Sequence, residues 1–142
     1  MQALDGYYRI LGRIDDVINV AGRRLGTREM ESAALLASEV VEAAVVPVSD
    51  PIKGKMPDLY VSLKPGLAPS VKLANKVTAS VVSQIGAIAR PRRVVIVPDM
   101  PKTRSGKIMG RVLAAISNHQ EPDNVSTLVN PEIVELIKEL AR

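Results

Sequence analysis

From Ser70 to Ala89 the chain reads "SVKLANKVTASVVSQIGAIA", and its apolar residues keep one spacing. Val71, Ala74, Val77, Val81, Ile85 and Ile88 recur every three or four positions, which places them on one stripe of a helix. The flanking runs have a different character. "EAAVVPVSD" (42–50), "DLYVSLKPG" (58–66) and "RRVVIVPDM" (92–100) are short, almost continuously apolar, and bounded by Pro, Gly or Asp. Such runs predict buried strands. A one-striped helix between buried strands must lie on a sheet, which makes the chain an α+β layer protein.

The remaining segments extend that scheme. Thr27 is placed to cap a helix running to about Ser38, with Glu29 and Glu31 in its first turn, where the helix dipole favours acids. A third helix is expected over 107–117. A last one, with Pro131 in its first turn, carries Ile133, Leu136, Ile137 and Leu140 on one stripe. Residues 7–11 resemble a strand after the Asp5-Gly6 turn signal. The expected fold is a small, mostly antiparallel sheet covered by helices, with a short N-terminal β-hairpin remnant. The expected divisions are 1–14 as a remnant and hinge, 15–118 as the main domain, and 119–142 as a tail with a terminal helix. The opening "MQALDGYYRILGR" has no helix start and reads as the end of a preceding unit, so the chain is expected to be a fragment of a longer protein.

Composition removes several classes of function. Phe, Trp and Cys are absent, so the core is aliphatic and neither disulfides nor thiolate metal sites can form. The single histidine, His119, excludes a multi-histidine metal centre. A net charge of +4 suits anionic ligands without demanding nucleic acid. No run approaches the roughly 18 apolar residues of a membrane span. With no secretory signal pattern, a cytoplasmic location is expected, or the mitochondrial matrix.

Two charged constellations stand out. "PKTRSGK" (101–107) gathers Lys102, Arg104 and Lys107 around Gly106, with Arg111 just beyond. A phosphate-cradling Walker loop needs a glycine at position 101 and Ser or Thr at 108; Pro101 and Ile108 stand there instead. Two readings remain: a solvated basic loop, or a glycine turn presenting the Lys107 ammonium to a phosphate. The second constellation, "GRIDDVINVAGRRLGT" (12–27), crowds Arg13, Asp15, Asp16, Arg23 and Arg24 into a glycine-punctuated stretch. Paired carboxylates admit acid–base chemistry or Mg²⁺ binding, but adjacent aspartates more often point apart and pair with nearby arginines. Asp15, which tolerates unusual backbone angles, also suits a hinge.

Together, "GRIDDVINVAGRRLGTREME" and "PKTRSGKIMGR" resemble the C-terminal domain of AMP-forming acyl-CoA synthetases, a branch of the adenylate-forming superfamily. "EAAVVPVSDPIKG" and "VSTLVNPEIVELI" resemble the short-chain acetyl- and propionyl-CoA synthetases in particular. The resemblance implies a ligase that joins a short carboxylate to ATP with Mg²⁺, giving an acyl-adenylate and pyrophosphate. It then transfers the acyl group to the thiol of CoA. It also implies a large N-terminal domain holding ATP and acid, with this domain as a rotating lid. Residue by residue, Lys107 matches the adenylation lysine, which is a target of reversible acetylation and so of an acetyltransferase and a deacetylase. Asp15 matches the hinge, Arg13 a ribose contact and Arg24 a phosphate contact. Ala21 and Gly22 match the passage for the pantetheine arm of CoA. Leu35, Ala37 and Val40 match a Mg²⁺ site made largely of backbone carbonyls.

The chain also departs from the pattern. Ala21 stands where Ser is usual and Arg23 where His is common. Ala37 replaces a His, and Val82 replaces an Arg near the CoA nucleotide. Without an ATP-binding loop or acyl pocket, the fragment is expected to be inactive alone and to hold no cofactor. The competing expectation is a stand-alone basic module for nucleic acid or acidic partners. It is disfavoured because single-strand readers stack bases on aromatics, and only Tyr7, Tyr8 and Tyr60 are available.

Overall fold

The computed structural model describes residues 17–20, 23–50, 54–122 and 125–141. The expected strand at 7–11, the hairpin remnant, and Arg13, Asp15, Ala21 and Gly22 lie outside them. Five strands form one mixed sheet: β1 (Val17–Val20), β2 (Arg23–Gly26), β3 (Val40–Asp50), β4 (Gly54–Leu63) and β5 (Arg93–Val97). Four α-helices cover it: α1 (Thr27–Leu35), α2 (Val71–Ile85), α3 (Gly110–Ser117) and α4 (Ile133–Leu140).

β4 organises the sheet. Along one edge it pairs antiparallel with β3, from Asp50↔Gly54 to Val40↔Leu63. β5 pairs with it in parallel, from Asp58↔Arg93 to Ser62↔Val97, and β1 meets it at Val20↔Gly54. β1 continues into β2 as an antiparallel hairpin. Among the described residues only the β4–β5 pairing is parallel, in line with the expected mostly antiparallel sheet.

Both faces of the sheet are buried, which explains why its strands read as continuous apolar runs. Ala43, Val45, Leu59 and Val61 point to a first core, where Met30, Ala33 and Ala34 of α1 and Val77 and Val81 of α2 pack. The intervening residues Ala44, Val46, Tyr60, Val95 and Val97 point to a second core with Val112, Leu113 and Ile116 of α3 and Ile133, Val134 and Ile137 of α4. Each fully buried aliphatic side chain contributes about 1.5–3 kcal/mol.

Several boundaries differ from expectation, each for a local reason. α1 has Gly26 as its N-cap and Thr27 already inside, and it stops at Leu35, whose successor closes onto Ala33 O. Glu31 does not serve the helix dipole; its carboxylate accepts the Val45 N–H of edge strand β3 at 2.9 Å. α2 is capped by Ser70, whose Oγ accepts the Leu73 N–H at 3.2 Å. It ends at Ile85 because Gly86 adopts φ 126°, so Ile88 falls in a separate 3-10 turn, Ala87–Ala89. Val71, expected on the buried stripe, is 78% exposed. In α4 Val134 is buried, whereas Leu136 and Leu140 are each 45% exposed. β2 was not foreseen, because "RRLG" carries no strand pattern of its own. α3 starts three residues later than expected because the basic turn closes on itself.

Candidate functional site

After β5 the chain drives Met100 fully into the second core and, past the buried Pro101, leaves the body. Residues 102–108 fold back as a tight hairpin, bridged at Lys102↔Ile108. Gly106 N–H donates to Thr103 O at 2.9 Å, and Thr103 N–H donates to Lys107 O at 2.9 Å. Gly106 sits at φ 86°, the left-handed region that a residue with a Cβ adopts only at a cost. This is a turn followed by a glycine bulge, a hairpin geometry in which the glycine is a backbone requirement. An added Cβ at Gly106 would meet nothing within 4 Å, so the constraint is conformational and not one of space. Thr103 Oγ1 tightens the loop by accepting the Lys107 N–H at 3.3 Å. Lys107 therefore sits on the return arm of a hairpin, not at the start of a helix as expected.

The two lysines of this hairpin differ sharply. Lys102, at the stem, places Nζ 2.8 Å from Glu42 Oε2 of β3 and 3.9 Å from Asp99 Oδ1. The hydrogen bond to Glu42 raises its pKa above the ordinary lysine value. Lys107, near the tip, is exposed, and among the described residues its ammonium has no hydrogen bond or ion pair. Arg104 and Arg111 are likewise exposed. An open cleft of about 660 Å³ beside the hairpin is lined by Arg28, Glu31, Met109 and Arg111, among others. A free, compact cation on a stiff turn can be offered to an anion held by another body.

The second constellation is described only in part. For Arg24 the structure gives the backbone, paired with Asn19 in the β1–β2 hairpin. That hairpin joins β4 at Gly54, whereas β5 leaves β4 beside Ser62 on its way to Lys107. Eight residues of strand separate these points, or about 26 Å at ~3.3 Å per residue. The two hairpins thus attach toward opposite ends of β4, although Thr27, the last residue of the second constellation, and Arg28 line the same cleft as Ile108, Met109 and Arg111.

Leu35, Ala37 and Val40 bracket the turn from α1 into β3; Leu35 is half-exposed, and Ala37 and Val40 are buried. The Leu35 carbonyl lies at the helix C-terminus, where partial negative charge gathers, whereas Val40 is already the first residue of β3. However, Ala37 O already accepts the Val40 N–H at 3.0 Å, and the three residues supply no carboxylate. That donor set is a weak fit to Mg²⁺, which usually takes one or two carboxylates. Among the described residues no group of three or more His, Cys, Asp or Glu could hold a metal ion. Val82, at the position noted for a CoA contact, is half-buried on α2.

Tyr60 is fully buried and its hydroxyl lies 2.6 Å from Ser117 Oγ, so it cannot stack on a base. No described helix is long and apolar enough to cross a membrane. Sequence reasoning missed Glu42, Asp99 and Asn130, which hold the hairpin's stem. The Asn130-Pro131 step is a turn signal that could have pointed to Asn130.

The described residues thus form a small two-faced α+β unit with a projecting basic hairpin. The chain belongs to the AMP-binding enzyme C-terminal domain family, which it matches over residues 29–107. It is 48% identical over 136 residues to an acetyl-coenzyme A synthetase of Xylella fastidiosa, covering 94% of this chain and 21% of that protein. It is 45% identical over 139 residues to the chloroplastic/glyoxysomal acetyl-coenzyme A synthetase of Arabidopsis thaliana, covering 96% of this chain and 19% of that one. Among solved structures, the acyl-CoA synthetase of Brucella canis superposes with a TM-score of 0.66 at 42% identity, covering 72% of this chain and 19% of the other. The chain spans about a fifth of the length of the curated relatives it matches.

Proposed function

We propose that this chain is the mobile C-terminal lid of an AMP-forming acyl-CoA synthetase acting on a short-chain carboxylate, acetate or propionate. The observation that carries the reading is Lys107: an exposed cation, unpartnered among the described residues, held on a glycine-bulged hairpin. In the first half-reaction the acid's carboxylate oxygen attacks the α-phosphorus of ATP. An O–P bond forms, and the bond to pyrophosphate breaks. Lys107 lies beside the developing charge and stabilises it; removing one such group typically costs about 3–4 kcal/mol at the transition state. In the second half-reaction the CoA thiol attacks the acyl carbon, the thiol proton is lost, and AMP leaves.

The separation of the two constellations supports two presentations of one domain. Their strands meet β4 at Gly54 and beside Ser62, toward opposite ends of that strand, which suits a domain that turns a different side to the reacting centre in each step. Asp15 is the proposed hinge. Arg13 and Arg24 are the proposed nucleotide contacts, and Ala21 and Gly22 the proposed lining of the CoA passage. ATP and CoA are substrates of the whole enzyme, bound largely by its N-terminal domain, and no step is routed through a metal at Leu35, Ala37 and Val40. Acetylation of Lys107 would remove its charge and switch off the first step alone.

The test separates the half-reactions in the full-length enzyme. Lys107→Ala is expected to lower ATP–pyrophosphate exchange by about 10²–10³-fold. Thioester formation from preformed acyl-adenylate should be retained. Equal loss of both steps would contradict the assignment.

A further inference from the structure

Residues 125–141 lie beyond the segment that matches the family, 29–107, yet they hold the hairpin that carries Lys107. One side chain makes most of the contact. Asn130 Oδ1 accepts the Lys102 N–H at 3.1 Å. Asn130 Nδ2 donates to Met100 O at 2.9 Å and to Asp99 Oδ2 at 3.3 Å. Beside it, Val129 N–H donates to Lys102 O at 2.9 Å. All of these partners lie in the four residues that lead into the hairpin.

The other side of Asn130 is anchored. Its carbonyl accepts the Ile133 N–H at 3.0 Å at the start of α4. That helix buries Ile133, Val134 and Ile137 in the second core. The hairpin's tip lacks such support: residues 104–107 are all exposed. A projecting turn is only as well aimed as its stem, and a misplacement of about 1 Å can cost on the order of 10²-fold in rate.

We propose that Asn130 is a positioning residue for Lys107, through which the C-terminal segment fixes the direction of the catalytic hairpin. The inference rests on the reading of Lys107 as the adenylation lysine. A carboxamide suits the task because it accepts and donates at once. A carboxylate at this position could still accept the Lys102 N–H, but it could not donate to Met100 O and would face the Asp99 carboxylate.

The experiment uses the full-length enzyme with Lys107→Ala, Asn130→Asp and the pair Asp99→Asn/Asn130→Asp, which exchanges donor and acceptor. For Asn130→Asp the expected result is a fall of about tenfold in kcat for pyrophosphate exchange, with KM for ATP and thioester formation from preformed adenylate nearly unchanged. The pair should recover part of that loss, because it removes the facing carboxylates and restores the 99–130 contact but not the donor to Met100 O. Amide hydrogen exchange over 102–108 should quicken in Asn130→Asp and slow again in the pair. If Asn130→Asp does not fold, Asn130→Ser takes its place with the same expectation for the two half-reactions. Wild-type exchange in the Asn130 variant beside a dead Lys107→Ala would overturn the positioning role alone. Parallel loss of both half-reactions with thermal stability would reduce Asn130 to a structural residue and also overturn it. If Lys107→Ala itself left pyrophosphate exchange intact, the underlying assignment of Lys107 would fall first.

Discussion

Asp58 and Lys107 are both charged, and the fold treats them in opposite ways. Asp58, on central strand β4, is fully buried between two guanidiniums: Arg92 grips it at 2.9 and 2.8 Å, and Arg93 Nε reaches it at 3.0 Å. Arg93 also donates to the Ala141 carbonyl, tying the end of α4 to the sheet. Lys107 stands in solvent with no partner among the described residues. A buried charge must be paired, or its desolvation is uncompensated. An exposed charge without a partner contributes little to stability and remains available for chemistry. The contrast therefore separates groups that hold the fold from groups the fold holds out.

The largest effect expected on stability is at the interior member of the comparison. Asp58→Asn removes the buried charge shared by two arginines and turns one acceptor oxygen into a donor, and should cost about 3 kcal/mol, as breaking buried pairs does. Denaturant unfolding would measure it, and a loss below that of tip substitutions would break the contrast. Next comes the buried hydroxyl pair. Tyr60→Phe orphans Ser117 Oγ and should cost about 1–3 kcal/mol, with part recovered by adding Ser117→Ala.

Tyr60 also gives the comparison a pH dependence. Burial raises the Tyr60 pKa above its ordinary value, with the Ser117 hydrogen bond opposing it. The unfolded phenol thus ionises first, near pH 10. The stabilising difference is complete below that pH and is lost as pH rises toward the folded pKa. Lys102, raised by Glu42, behaves in the same sense just above. Wild-type unfolding free energy should therefore decline above about pH 10, and less steeply in Tyr60→Phe. A parallel decline in the two proteins would contradict the role of Tyr60. Smaller still is Lys102→Met at the hairpin's stem. Its ion pair is only partly shielded, so solvent screening limits the cost to about 0.2–1 kcal/mol in thermal or denaturant unfolding. At the far end, Lys107→Ala and Arg104→Ala should each move stability by less than about 0.5 kcal/mol.

What the sequence disclosed follows the range of the interactions. The continuous apolar runs of β3, β4 and β5 announced a sheet buried on both faces, and the stripe through Val77 and Val81 announced α2. Gly106 and Lys107 were legible because a glycine turn and its lysine are neighbours in the chain. Features set by distant partners were not. Asn118 caps edge strand β3 by accepting the Ser49 N–H, a contact spanning 69 residues. Asn130 reaches Lys102 across 28. The late start of α3 belongs with these, since Met109 N–H is drawn to Pro101 O by hairpin closure and not by local preference. Of the charged residues of the second constellation, only the backbones of Arg23 and Arg24, both in β2, fall within the described residues.

The central claim is that the Lys107 charge serves catalysis and not the fold. The most direct measurement is ATP–pyrophosphate exchange by the full-length Lys107→Gln enzyme, at a temperature where unfolding shows it as stable as the wild type. The account predicts exchange reduced by about 10²–10³-fold. Exchange within a few-fold of the wild type would contradict it.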